Sequence, residues 1–170
     1  AIRAKTLGMR VVIYDPYVPR GHEKAIAVDR AWTLDELLPQ CQFLSLHCPL
    51  TDETRNIVDA HRLAQLPRGA YVVNTARGGL IDENGLLAAL DSGQVAWAAL
   101  DVVEREPLAD ERLRRHPRLI ITPHCAFYST KAAPEMRTKA AEEALRLLRG
   151  ESPRNPVNRQ FLTKTNVHVL

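Results

Sequence analysis

The sequence predicts an α/β protein built on a parallel sheet. Two observations carry this. Short apolar runs rich in β-branched residues alternate with helical segments along most of the chain. Most of those runs are continuously apolar, as expected of strands covered on both faces. A third observation concerns chemistry. Asp15, Cys48, Arg77, Asp101 and His124 each fall just after a predicted strand. In such sheets ligands bind beyond the C-terminal ends of the strands.

The elements follow in order. Residues 1–7 read as the end of a helix stopped at Gly8. Residues 10–14 (RVVIY) form a buried strand that ends at Asp15-Pro16. Thr33-Leu34-Asp35-Glu36 is a capping box, so residues 34–38 form a short helix. Residues 43–46 are a strand, closed by His47-Cys48-Pro49, and residues 59–65 a helix before Pro67 and Gly69. Residues 70–73 are a third strand. Asp82 can cap a helix through Leu90 that stops at Ser92-Gly93. Residues 95–100 and 119–121 are further strands. The last helix spans about 131–149, with Met136, Ala140, Ala144, Leu147 and Leu148 on its apolar face. Pro134 is tolerated near its first turn. Beyond Gly150 the composition is that of a linker or extended tail.

The 170 residues suffice for one domain with a core. The net charge is only +3 and is accompanied by 20 acidic residues, which does not suggest a nucleic-acid surface. No apolar run approaches the roughly 20 residues of a membrane span, and the first residues lack a signal-peptide pattern. Cys41, Cys48 and Cys125 are odd in number and have no CxxC spacing. Neither a disulfide framework nor a metal site follows. The expectation is a cytoplasmic protein with reduced thiols.

Four residues carry candidate chemistry. Asp15 stands where dinucleotide-binding folds place a carboxylate for the adenosine ribose hydroxyls, which favours NAD over NADP. A turn before Pro16 selects aspartate just as readily. Arg77 precedes Gly78-Gly79, which let the backbone turn sharply and approach a ligand closely. Its guanidinium can bind a carboxylate through two hydrogen bonds, or it is an exposed loop arginine. His124 has a side chain suited to proton transfer near neutral pH. Glu106 can orient its ring. The plainer alternatives are a strand-end histidine bonded to backbone and a surface carboxylate. His22, His61 and His116 read as exposed. The run Arg112, Arg114, Arg115 and Arg118 reads as a solvated face.

Several frames recur together: Tyr14-Asp15-Pro16; His47-Cys48-Pro49-Leu50-Thr51 with Thr54; Val73-Asn74-Thr75-Ala76-Arg77-Gly78-Gly79 with Asp82; Ala98-Ala99-Leu100-Asp101-Val102 with Glu106-Pro107; and Thr122-Pro123-His124. They resemble the D-isomer-specific 2-hydroxyacid dehydrogenase family from residue 1 to about 149. Within it they resemble the C-terminal-binding protein branch, through Asp15-Pro16-Tyr17, His47-Cys48 and His124-Cys125-Ala126-Phe127-Tyr128-Ser129. The resemblance implies a Rossmann-like doubly wound sheet that binds NAD. It implies that Asp15 binds the adenosine ribose and that Cys48, Pro49, Leu50 and Thr54 line the cofactor. It places Thr75 and Ala76 near the nicotinamide ribose and Asp101 on the carboxamide. Arg77 would hold the substrate carboxylate, His124 would be the general acid/base, and Glu106 would set its ionisation. Phe127 stands where that branch carries tryptophan, so substrate preference is left open.

The family's fold opens with a strand and a glycine-rich phosphate loop, and these residues begin inside the helix that follows. Two strand edges are therefore expected to lack partners, and the 170 residues alone to be inactive. The expected organisation is an NAD-binding domain at 1–130, a crossover helix at 131–150, and a substrate-domain or disordered tail at 151–170. A homodimer acting on a small 2-hydroxy or 2-keto acid is implied. The alternative is an NAD-sensing, corepressor-like interaction module.

Overall fold

The computed structural model describes residues 1–157. Its elements are α1 (Ile2–Thr6), β1 (Val12–Ile13), α2 (His22–Ala25), β2 (Asp29–Arg30), α3 (Leu34–Leu37), β3 (Phe43–Leu46), α4 (Ala60–Gln65), β4 (Ala70–Asn74), α5 (Glu83–Asp91), β5 (Val95–Leu100), α6 (Glu111–Arg114), β6 (Leu119–Ile121) and α7 (Ala132–Leu148). The chain divides into two compact units, Ala1–Ala126 and Phe127–Leu170. The tail expected at 151–170 lies mostly outside the described residues.

Helices begin where side-chain oxygens reach orphan amides. Thr33 accepts from Glu36 N, and Glu36 reaches back to Trp32 N at 2.7 Å. Asp59, Asp82 and Asp110 cap α4, α5 and α6 in the same way. α5 ends at Gly93, whose φ of +72° suits glycine. The short elements α2, β2 and α6 were not anticipated. Each spans only two to four residues, too few to show a period.

β3, β4, β5 and β6 form one parallel sheet in that order, and β1 pairs with β2 in another. Among the described residues no ladder joins the two, so β1 and β3 each keep an unpaired edge, as expected. β1 is shorter than residues 10–14 suggested, because only Val12 and Ile13 have a partner strand in register.

Leu44, Leu46, Val72, Ala98 and Leu100 point to one face of the larger sheet. There they meet Leu38, Leu63, Leu86, Leu90 and Leu113 from the helical segments. Each fully buried leucine contributes roughly 1.5–3 kcal/mol. Period-two alternation sends Phe43, Tyr71 and Trp97 to the opposite face, where they are exposed. Tyr71 pairs with Phe43 on one side and Trp97 on the other, and the Phe43 and Tyr71 rings stack at 4.8 Å. The expectation of cover on both faces therefore holds for one face of these residues. In the second unit α7 buries none of its residues, and Arg146 and Arg154 pair with Glu151 and Glu142. No described helix is long and apolar enough to cross a membrane.

Candidate active site

Parallel pairing makes the chain leave β4, β5 and β6 at one edge. Neighbouring strands lie about 4.8 Å apart, so the ends of β4 and β6 stand roughly 10 Å apart with β5 between them. Arg77 follows β4, Asp101 follows β5 and His124 follows β6.

The Arg77 turn rests on a buried amide. Asn74 is 1% exposed. Its Nδ2 donates to Arg77 O at 2.8 Å, and its Oδ1 accepts from Ala76 N at 3.0 Å. Its carbonyl accepts from Asp101 N, joining this turn to the next strand. Gly78 packs so closely on the Val103 carbonyl that a Cβ there would overlap it. Glycine was expected to permit close approach to a ligand. Here it permits backbone to pack on backbone, and it brings the Arg77 turn onto the segment leading to Glu106. Arg77 itself is exposed, with Nη1 donating to Ala76 O at 2.6 Å. Asn74 was missed as a brace. The available signal was an amide ending an apolar strand.

The His124 turn rests on a buried carboxylate. Asp101 is 5% exposed. Its Oδ1 accepts from the Thr122 hydroxyl and from Cys125 N at 2.9 Å, and its Oδ2 accepts from Ala126 N at 2.9 Å. Its carbonyl accepts from His124 N. Burial pushes the carboxyl up, but these donors outweigh burial and hold it below its ordinary value. His124 adopts φ +51°, an uncommon conformation for a residue with a side chain. The three bonds around it fix that backbone.

His124 Nδ1 lies 2.9 Å from Glu106 Oε2. The bond to His124 is the main cause that lowers the Glu106 carboxyl below its ordinary value. An ionised carboxylate only accepts, so Nδ1 carries the hydrogen. The two side chains are 45% and 42% exposed. At that exposure an ion pair contributes only about 0–1 kcal/mol of stability, so its effect is orientation of the ring. Glu83 Oε1 accepts from Glu104 N at 2.7 Å and anchors the same segment.

The other end of the edge gathers Asp15, Cys48 and the 49–54 loop. Asp15 Oδ1 accepts from Tyr17 N at 2.9 Å, and Tyr17 Oη donates to Glu53 at 2.5 Å. Burial raises the Cys48 thiol, and the nearby Asp15 charge raises it further. Thr54 Oγ1 donates to Pro49 O at 2.7 Å and accepts from Thr51 N at 2.8 Å. Its hydroxyl thus closes the loop that carries Leu50. Asn56 N donates to Gly79 O, tying this loop to the Arg77 turn. A cleft of about 460 Å³ opens at Asp15, lined by Tyr14, Tyr17, Arg20, Arg30 and Trp32 among others.

Thr75 is exposed and Ala76 half-buried within the Arg77 turn. Phe127 belongs to the second unit, where its ring lies 4.7 Å from that of Tyr128. His116 departs from expectation. Its side chain is 8% exposed, because Nδ1 accepts from Arg118 N and Nε2 faces Asp91 at 3.3 Å. His22 and His61 are exposed as expected. In the basic run, Arg112 pairs with Asp110, and Arg114 and Arg115 share Glu111, so the face is partly charge-compensated.

Known proteins share this fold. The family model described as "D-isomer specific 2-hydroxyacid dehydrogenase, NAD binding domain" matches residues 1–126. C-terminal-binding protein 1 of Caenorhabditis elegans is 41% identical over 157 residues, 91% of this chain and 22% of that protein. A D-lactate dehydrogenase from Treponema pallidum superposes with a TM-score of 0.79 at 35% identity, over 88% of this chain and 49% of that one. A glyoxylate reductase from Paecilomyes thermophila gives 0.81 at 34% identity, over 93% of this chain and 48% of that one. The chain thus spans about half of those solved relatives and about a fifth of the curated one. With the strand order and the 1–126 match in agreement, the chain belongs to the D-isomer specific 2-hydroxyacid dehydrogenase family, in its NAD-binding domain.

Proposed function

We propose that this chain is the cofactor-binding portion of an NAD-dependent D-2-hydroxyacid dehydrogenase, reversibly reducing a 2-keto acid. The observation that carries the reading is the His124–Glu106 pair on the sheet edge that also bears Arg77. The fit to a dinucleotide rests on the row of polar groups along that edge and on the cleft at Asp15. Bound NADH supplies the hydride to the keto carbon.

The chain's own residues do the rest. His124, held by Glu106, gives a proton to the keto oxygen in reduction and takes it back in oxidation. Arg77 binds the substrate carboxylate and favours the charge growing on the oxygen. The gap of roughly 10 Å between the β4 and β6 ends suits a small acid between these two groups. Asp101 uses three acceptor positions on the His124 turn. A carboxylate offers about four, which leaves one for a carboxamide. Asp15 takes the adenosine ribose, Cys48, Pro49, Leu50 and Thr54 line the cofactor, and Thr75 and Ala76 border the nicotinamide ribose. Phe127 contributes to substrate selection.

In this reading residues 1–130 are the NAD-binding domain, 131–150 a crossover helix, and 151–170 the tail of a substrate domain. The protein works in the cytoplasm as a homodimer. The exposed apolar row Phe43, Tyr71 and Trp97 offers a second copy a surface, which sedimentation would test.

The test uses the longest natural chain that contains these residues. Titration with NADH, followed through Trp32 and Trp97, should saturate, and 2-keto acids should then oxidise the NADH. Binding without turnover on any 2-keto acid would reject the enzyme reading. The 41% identity to a C-terminal-binding protein favours one alternative, an NAD-sensing interaction module. Capture of a corepressor-recruiting peptide only when NADH is present would support it.

A further inference from the structure

Arg30 ends β2, in register with Ile13 of β1. Its side chain is 7% exposed, which is rare for arginine. The guanidinium reaches past the end of β1 and gathers the chain that leaves it. Nη2 donates to Asp15 O at 2.9 Å and Val18 O at 3.0 Å, and Nη1 donates to Pro19 O at 3.3 Å. Glu23 Oε2 lies 3.4 Å from Nη1 and supplies the counter-charge. Glu23 is itself held by Gly21 N at 3.1 and 3.2 Å. Trp32 covers the guanidinium, with its ring centroid 4.4 Å away.

Three carbonyl oxygens from one five-residue loop therefore converge on a single cation. Without it Asp15 O and Val18 O would lose the donor they share, and Pro19 O would keep only His22 N at 3.3 Å. Only a planar fork with several N–H groups meets all three at once. A lysine ammonium is a point donor and meets fewer. The loop so held carries Asp15 at its start, and Asp15 is among the residues that line the cleft.

We infer that Arg30 is a positioning residue for dinucleotide selection: by clamping residues 15–19 it holds the Asp15 carboxylate where it accepts ribose hydroxyls and repels a 2′-phosphate. This rests on the NAD-binding reading of Asp15. Arg30 touches no cofactor itself. It spends its donors on the loop, and the loop aims the carboxylate. His124 follows β6 and Glu106 lies between β5 and α6, so neither depends on the Arg30 bonds.

The experiment compares NADH and NADPH dissociation constants in the longest natural chain, for wild type, Arg30→Met, Arg30→Lys, Asp15→Ala and the Arg30→Met/Asp15→Ala double variant. Circular dichroism establishes that each is folded. Wild type should prefer NADH. Arg30→Met should weaken NADH about tenfold, equivalent to about 1.4 kcal/mol, with NADPH changed less than about twofold. Arg30→Lys should fall between. The double variant should match Asp15→Ala, because the two residues act through one group. An unchanged NADH-to-NADPH ratio in folded Arg30→Met overturns the proposal, and so does simple addition of the two effects. If Arg30→Met does not fold, an unchanged ratio in Arg30→Lys overturns it. If Asp15→Ala leaves the ratio unchanged, the underlying reading of Asp15 fails instead, and the proposal falls with it.

Discussion

His124 Nδ1 and Glu106 Oε2 lie 2.9 Å apart although the residues are 18 positions apart in sequence. The pair forms because β5 and β6 are parallel neighbours and the chain after β5 returns to the end of β6. The lowered Glu106 carboxyl keeps the acceptor ionised across neutral pH. In the proposed enzyme His124→Ala should reduce turnover by roughly 10²–10⁴ while NADH affinity changes little. Glu106→Gln should also lower turnover, by less. Stopped-flow measurement of NADH oxidation separates binding from chemistry. Full turnover in His124→Ala would remove this residue from the reaction.

Arg77 and Asn74 divide one task. In the proposed enzyme the guanidinium meets the substrate, while the buried amide holds its turn. Arg77→Ala should raise KM for the keto acid or lower kcat/KM by about 10–10²-fold, the worth of a charged hydrogen-bonded contact. Arg77→Lys should recover only part, because a point charge cannot form the paired bonds. Normal kcat/KM in Arg77→Ala would reject carboxylate recognition at this position.

Asp101 makes the stability of the His124 turn depend on pH with a definite sign. Its folded carboxyl is held below the ordinary value of 3.8. Its contribution is therefore present above that value and is lost as pH falls through the lowered folded value. Thermal melts taken from neutral pH downward should show this loss setting in below about pH 4. Asp101→Asn places a donor against Cys125 N or Ala126 N. It should destabilise the fold by about 1–3 kcal/mol at neutral pH and flatten the acid limb. An acid limb of wild-type depth in this variant would contradict the assignment.

Gly78 has no room for a methyl group because the Val103 carbonyl occupies that space. Gly78→Ala should cost about 1–3 kcal/mol in urea unfolding, as overpacking does. The Arg77 turn and the Glu106 segment must also separate, so turnover should fall with it. Wild-type stability in Gly78→Ala would show that the two segments can part freely.

Much of the fold was legible in the sequence. The strands at 43–46, 95–100 and 119–121 were located to the residue, because continuous apolar runs bounded by turn residues leave little choice of register. The caps at Thr33 and Asp82 and the helix start at Asp59 follow local chemistry, in which an oxygen reaches an amide two or three residues on. The placing of Asp15, Cys48, Arg77, Asp101 and His124 beyond strand ends was readable too, since parallel strands must all end at one edge. By itself the sequence determined the alternation of elements, the residue type at each strand end, and the family frames.

Other features depended on contacts between distant segments. The brace from Asp101 to residues 122–126 spans over twenty positions, and burial reversed the expected exposure of His116. That Gly78 packs against the backbone of Val103 was not legible, because the two segments are 25 positions apart. The clamp of Arg30 on residues 15–19 needs β1 and β2 paired before it exists. Hydrogen bonds along the chain are set by neighbours in sequence. Which buried polar group answers which distant carbonyl is set only when the strands are in register, and the tertiary structure decided that.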